Sequence, residues 1–160
     1  MVKKLLKYAG LCSIVLTIVA FILLMSTSAL YYDANSKVAG TIALFGDGNL
    51  KSSGVALAAW ILLIIALLVL ICIAVLPSLK LKVSPLIVVC SNLFAVLALI
   101  VAGILVFTTK SAFMDANGLI GAFLADYNLG AGYVISGILL LLAGLVAVAP
   151  LVYNLIEKKK

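Results

Sequence analysis

The 160-residue chain contains no arginine and no histidine. The first absence removes the bidentate fork that recognises phosphate and carboxylate groups. The second removes the commonest metal ligand and general base. Charge of either sign is scarce: 10% of the residues are charged, against about a quarter in a typical soluble domain. The five acids are Asp33, Asp47, Asp115, Asp126 and Glu157, and all five lie outside the long apolar runs. There are three cysteines and no CxxC pair, so the spacing of a structural zinc site is missing. Cysteine is a small apolar residue that packs well in helices. That reading outweighs a soft-metal site at Cys12, Cys72 and Cys90, although all three lie at a similar distance from one end of their runs.

What the chain has is apolar length. Hydrophobic residues make up 67% of it. A soluble fold of this size has too little interior to hide that much apolar surface, so lipid must act as part of its solvent. A helix needs about 20 apolar residues to cross roughly 30 Å of hydrocarbon. Four runs meet this, at about 8–30, 54–76, 85–107 and 132–153, and none contains a charged residue. Each is expected to be a helix, because a helix satisfies its own backbone groups in lipid. Pro77 closes the second run, and Ser84-Pro85 supplies an N-cap and an N1 proline for the third. Pro150 predicts a kink or an end in the fourth.

Lysine placement orients the four runs. Lys3, Lys4, Lys7, Lys80, Lys82, Lys158, Lys159 and Lys160 fall on one side. Lys37, Lys51 and Lys110 fall on the other, among Asp33, Asp47, Asp115 and Asp126. The positive-inside rule puts the first group, and with it both termini, in the cytoplasm. The same clustering at run ends argues against a nucleic-acid patch. The expected location is the plasma (inner) membrane, with multiple passes. Lys3, Lys4 and Lys7 followed by Thr27-Ser28-Ala29 also fit a cleaved signal peptide, but the apolar stretch is long for one.

The cytoplasmic turn and tails are short, whereas the outer loops, 31–53 and 108–131, are longer, so recognition is expected outside. Both loops carry Asp-Ala-Asn, an apolar stretch and then Asp-x-Asn-Leu. This reads either as a duplicated helix-loop-helix unit or as coincidence in a small alphabet. In the first loop, Gly40 to Phe45 is short, apolar and bounded by Gly46-Asp47-Gly48, which predicts an extended segment around Thr41 to Phe45 and a turn after it. In the second, Phe113, Ala116, Ile120, Phe123, Leu124 and Tyr127 recur at helical spacing, which fits an amphipathic helix on the outer membrane surface. Gly118 and Gly121 interrupt it, and a true repeat would instead make Leu119 to Leu124 resemble the first loop, so both readings stand. The two loops are expected to meet through residues 40–50 and 118–129, forming a cap. The fold class is then an all-α membrane protein: a four-transmembrane-helix bundle with a small extracytoplasmic cap in which short β-strands have a place.

The candidate partner surface is the polar rim of that cap: Asp33, Asn35, Asp47, Asn49, Asp115, Asn117, Asp126 and Asn128. The Asp47 and Asp115 segments look like calcium-loop fragments but lack the remaining ligands, so they read as turns. Asn92 is the one amide well inside a run, and it is expected to hydrogen-bond another helix or a backbone carbonyl. Ser13, Thr17, Ser91 and Ser136 can bond back to their own helices. Small residues at Gly132/Ser136, Ala98/Ala102, Ala143/Ala147 and Gly137/Gly144 mark close helix contacts.

The layout of four helices and two longer outer loops, with a strand-like segment in the first, resembles the claudin-type tetraspan proteins. Leu44-Phe45-Gly46 is the nearest echo of their loop motif, and the loop lacks their tryptophan and cysteines. No barrier or channel function carries over from that likeness. The chain also resembles small four-helix proteins of bacterial membranes that have no assigned activity. Without intramembrane charge, which marks ion paths and proton relays, and without a nucleophile beside a base, the leading expectation is a non-catalytic interaction, assembly or accessory subunit. Its expected partners are the lipid bilayer, other membrane proteins or a second copy, with no nucleic acid, metal or cofactor. The rival is a small oligomeric transporter or channel lined by Asn92, Ser91 and the hydroxyls. A membrane enzyme ranks third.

Overall fold

A computed structural model describes residues 2–33, 36–76 and 83–157. Asn35, Pro77, Lys80, Lys82 and the lysines at 158–160 lie outside the described residues. The elements in chain order are α1 (Val2–Ser26), β1 (Ser28–Tyr31), β2 (Lys37–Ala39), α2 (Gly40–Phe45), α3 (Gly54–Val75), α4 (Pro85–Phe107), α5 (Thr109–Ala122), β3 (Asn128–Leu129) and α6 (Ala131–Glu157). Within α1, α3, α4 and α6 lie four stretches long and apolar enough to cross a membrane: Tyr8–Ser26, Gly54–Val75, Pro85–Phe107 and Ala131–Val152. At 1.5 Å per residue, α3 alone is about 33 Å long.

Local chemistry explains the helix starts. Ser53 caps α3, its hydroxyl accepting from the Ala56 amide at 3.3 Å. Ser84 and Pro85 open α4 at the expected place, but the Ser84 side chain makes no cap bond. Its carbonyl instead accepts from Ile87 and Val88. α6 runs through Pro150 to Glu157 and so does not end there. Proline removes a single N–H and frees one carbonyl a turn earlier, a loss a long helix can carry.

The first run is cut short. Its helix ends at Ser26, and Ser28 to Tyr31 leave it to form β1. The hydroxyls of Ser26 and Thr27 bond back to the carbonyls of Ile22 and Leu23, closing the last turn. Ala29 and Leu30 are then completely buried in the sheet, so they lose nothing by leaving the run.

The long helices close into a ring. α6 packs along α1 and α4, α3 packs along α4, and the α1–α3 seam is the lightest of the four. Ala95, Ala98, Leu99, Ala102, Leu140, Ala143 and Ala147 fill the interior. The α4–α6 approach depends on paired glycines. A Cβ on Gly137 would come within 2.8 Å of the Phe107 ring, and one on Gly103 within 3.1 Å of the Gly137 carbonyl oxygen. The small-residue spacings in the sequence thus mark real contacts within one chain.

Two hydroxyls that can bond back to their own helices also reach across to another. Ser13 of α1 donates to the Ala143 carbonyl of α6 at 2.8 Å. Ser136 of α6 donates to the Ala20 carbonyl of α1 at 3.2 Å as well as to Gly132 in its own helix. Each helix gives one hydroxyl to the other. Thr17 does bond within its own helix, to Ser13. Asn92 lies on the inward face of α4, 2% exposed. Among the described residues no hydrogen bond to its amide is recorded, so the expected cross-helix bond is not found there.

Candidate functional site

One end of the bundle carries a cap built from both longer loops. β1 is its centre: β2 pairs with it on one edge and β3 on the other, both antiparallel. Leu30 sits opposite Val38 on one side and Leu129 on the other, so a residue from the second loop joins the sheet of the first. Gly130 reinforces the join, its amide donating to the Ala29 carbonyl at 2.7 Å.

The extended segment expected around Thr41 to Phe45 is instead the short helix α2, and the strand lies just before it at Lys37–Ala39. A six-residue apolar segment has no strong preference of its own. Here it is held as a helix because its inward face is taken up. Ala43 and Leu44 are buried, the Gly40 amide donates to the Thr27 carbonyl, and the Tyr133 hydroxyl donates to the Gly40 carbonyl at 3.2 Å. The turn after it falls where expected, with positive φ at Gly46 and Gly48.

The second loop, for which the sequence supports either a helix or a segment like that of the first loop, is helical, and α5 breaks at Gly118, where φ is 52°. The break divides the apolar stripe. Phe113 and Leu124 are buried, whereas Ile120 and Phe123 are exposed.

The predicted rim residues fall into two groups, each drawing on both loops. Asp33 follows Tyr32, whose ring lies 5.8 Å from that of Tyr127, between Asp126 and Asn128. Asp33 accepts from the Ser36 amide across the β1–β2 turn. Asn128 sits opposite Tyr31 in the sheet. The second group surrounds Lys51. Asp47 accepts from the Asn49 and Leu50 amides, which shapes the turn. Asn117 grips the next residue: its Oδ1 accepts from the Lys51 amide at 2.7 Å, and its Nδ2 donates to the Lys51 carbonyl at 3.1 Å. Asn117 therefore ties the loops together internally. Asp33, Asp47, Asn49, Asp115, Asp126 and Asn128 remain exposed.

The loops do meet, and the joins seen among the described residues lie at the borders of the expected 40–50 and 118–129 ranges. The join runs through β1 with β3, Tyr32 with Tyr127, and Lys51 with Asn117. Asp33 and Asp115, which begin the two similar segments, also differ. Asp33 stands in a turn between strands, while Asp115 lies inside α5. Among the described residues, equivalent structure in the two loops, which a duplication would predict, is not seen.

Sequence reasoning gave Lys110 and Tyr133 no part in holding the cap and passed over Trp60. Tyr133 is buried beneath the cap as a bridge to Gly40. Lys110 donates from Nζ to the Ala125 carbonyl at 3.0 Å. Trp60 stacks on Phe21 and meets Phe45 edge-on, filling the upper part of the light α1–α3 seam. For Tyr133 and Trp60 the one available signal was a large amphipathic ring at the end of an apolar run. Cys12, Cys72 and Cys90 are exposed, and among the described residues no group of three metal-binding side chains forms.

The chain matches no protein-family model, no curated protein and no solved structure. Its functional reading therefore rests on the cap itself.

Proposed function

We propose that this chain is a non-catalytic integral membrane protein of the plasma (inner) membrane that serves as an interaction, assembly or accessory subunit. Both termini are cytoplasmic and the cap faces outward, on the lysine asymmetry of the sequence. One observation supports this most: the two loops of the cap are held to each other by main-chain pairing and by Asn117, while five rim side chains, Asp47, Asn49, Asp115, Asp126 and Asn128, are exposed. A surface stiffened from within and left polar without suits a docking face, because little order is lost when a partner binds. Its acids make it a match for a basic partner segment.

The test has two arms. Single charge reversals, Asp126→Lys and Asp47→Lys, are introduced into protein purified from native membranes in mild detergent. Each is expected to remove the same co-purifying protein while leaving the thermal melting curve in place. Purified wild-type protein in liposomes is expected to show no solute or ion flux. Flux that rises with protein content would replace this reading with the transporter.

A further inference from the structure

The second loop forms a hairpin whose tip is apolar. α5 runs outward from Thr109 to Asn117, and Gly118 reverses the chain at φ 52°. The return arm comes back along α5 in tight turns: Phe123 bonds to Ile120, Leu124 to Gly121, Ala125 to Ala122 and Tyr127 to Leu124. It is locked against the outgoing arm at two points. A Cβ on Gly121 would collide with the Met114 carbonyl, and Lys110 holds the Ala125 carbonyl. This packing buries Phe113 and Leu124 and turns Leu119, Ile120 and Phe123 outward, at 87%, 50% and 85% exposure. These three are presented by a braced hairpin.

The height of the hairpin says what covers them. It starts two residues after the end of α4 at Phe107. Its far arm is tied by Asn117 to Lys51, three residues before the start of α3 at Gly54. Its return ends at Tyr127, in ring contact with Tyr32. Two helix ends and a tyrosine pair, the residue type enriched at the headgroup level, bracket it. From Ala116 to Ala125 there is no charged residue, and Asp115 and Asp126 flank the stretch. A tip uncharged between Asp115 and Asp126 thus stands at the edge of the hydrocarbon beside α3, on which Ile61 and Ile65 are exposed.

We propose that Leu119, Ile120 and Phe123 form a wedge inserted into the headgroup–acyl boundary of the leaflet at the cap end, so that the second loop binds the lipid surface and the cap is pinned to the membrane. This takes from the proposed function only that the four long helices lie in a bilayer, which flotation of the protein with vesicles checks separately. It does not depend on any protein partner.

The test places a reporter at the tip. Phe123→Trp is made in a chain carrying Trp60→Phe and reconstituted in phosphatidylcholine vesicles. Its fluorescence is expected to be blue-shifted, strongly quenched by lipids with a nitroxide near the headgroup end of the acyl chain, and little affected by aqueous iodide. Quenching by iodide alone places the tip in water and overturns the wedge. Quenching by neither places it under protein, such as a second copy, and also overturns it. Should Trp60→Phe fail to fold, a nitroxide label on Leu119→Cys, with Cys12, Cys72 and Cys90 changed to alanine, reads the same point. Oxygen should reach that label more readily than a water-soluble nickel chelate does, and the reverse order overturns the wedge.

Discussion

The amide of Asn117 makes three hydrogen bonds, two to the Lys51 backbone and one to the Phe113 carbonyl at 2.8 Å. Asn117→Ala removes all three and is expected to cost about 1–2 kcal/mol, at roughly 0.5–1.5 kcal/mol per net bond, discounted for partial exposure. Amide exchange at Lys51 should accelerate, and unchanged protection there would show that the clamp does not hold the loop. Ser13→Ala should cost about 0.6 kcal/mol, the usual size of a hydroxyl bond between membrane helices. Ser136→Ala should cost no more, because part of its hydroxyl bonding stays within one helix. Asn92 behaves differently. It is 2% exposed, so Asn92→Leu, of similar size, tests the bond expected of it: an unchanged or raised melting temperature would show that the amide holds no other helix. A loss above about 1 kcal/mol would reveal a bond.

At the scale of elements, the α4–α6 contact and the outer surface of α1 make opposite demands on glycine. Gly137→Val drives a branched side chain into the Phe107 ring and the Gly103 backbone and should cost about 1–3 kcal/mol or more, read as a lower melting temperature in detergent. A Cβ on Gly10 meets nothing within 4 Å, so Gly10→Ala should be neutral or stabilise by up to about 1 kcal/mol. If both substitutions had the same effect, close packing would not explain the glycines. The cap elements depend on one another more than the long helices do. β3 has two residues and β2 three, too short to persist without β1 between them.

For the whole molecule, the ring of helices puts the start of α1 and the end of α6 at the end opposite the cap, because α1 and α6 lie side by side and antiparallel. The lysine asymmetry then predicts which end faces inward. Single cysteines at Lys82 and Lys160 should resist an impermeant thiol reagent in intact cells, and one at Asn49 should react. Labelling at Lys82 from outside would reverse the orientation of the cap and of everything proposed for it.

The sequence alone determined the four long helices, because partition of an uncharged apolar run into helix depends on its length and composition and needs no particular neighbour. It also placed the start of α4, through Ser84-Pro85, the turn at Gly46 to Gly48, and the exposed acids of the rim. Only the tertiary structure decided that Ser28 to Tyr31 leave the first run, that Gly40 to Phe45 are helical, and that Asn117 faces inward to Lys51 while Asp115 faces out. The physical reason is the same in each case. A strand of two to four residues or a single turn of helix is too short to be stable by itself, and its conformation is set by whichever partner supplies the missing hydrogen bonds and buries its apolar side. For β1 one partner is the nearby β2, but the other is Leu129, about a hundred residues away in sequence, and no local pattern points to it.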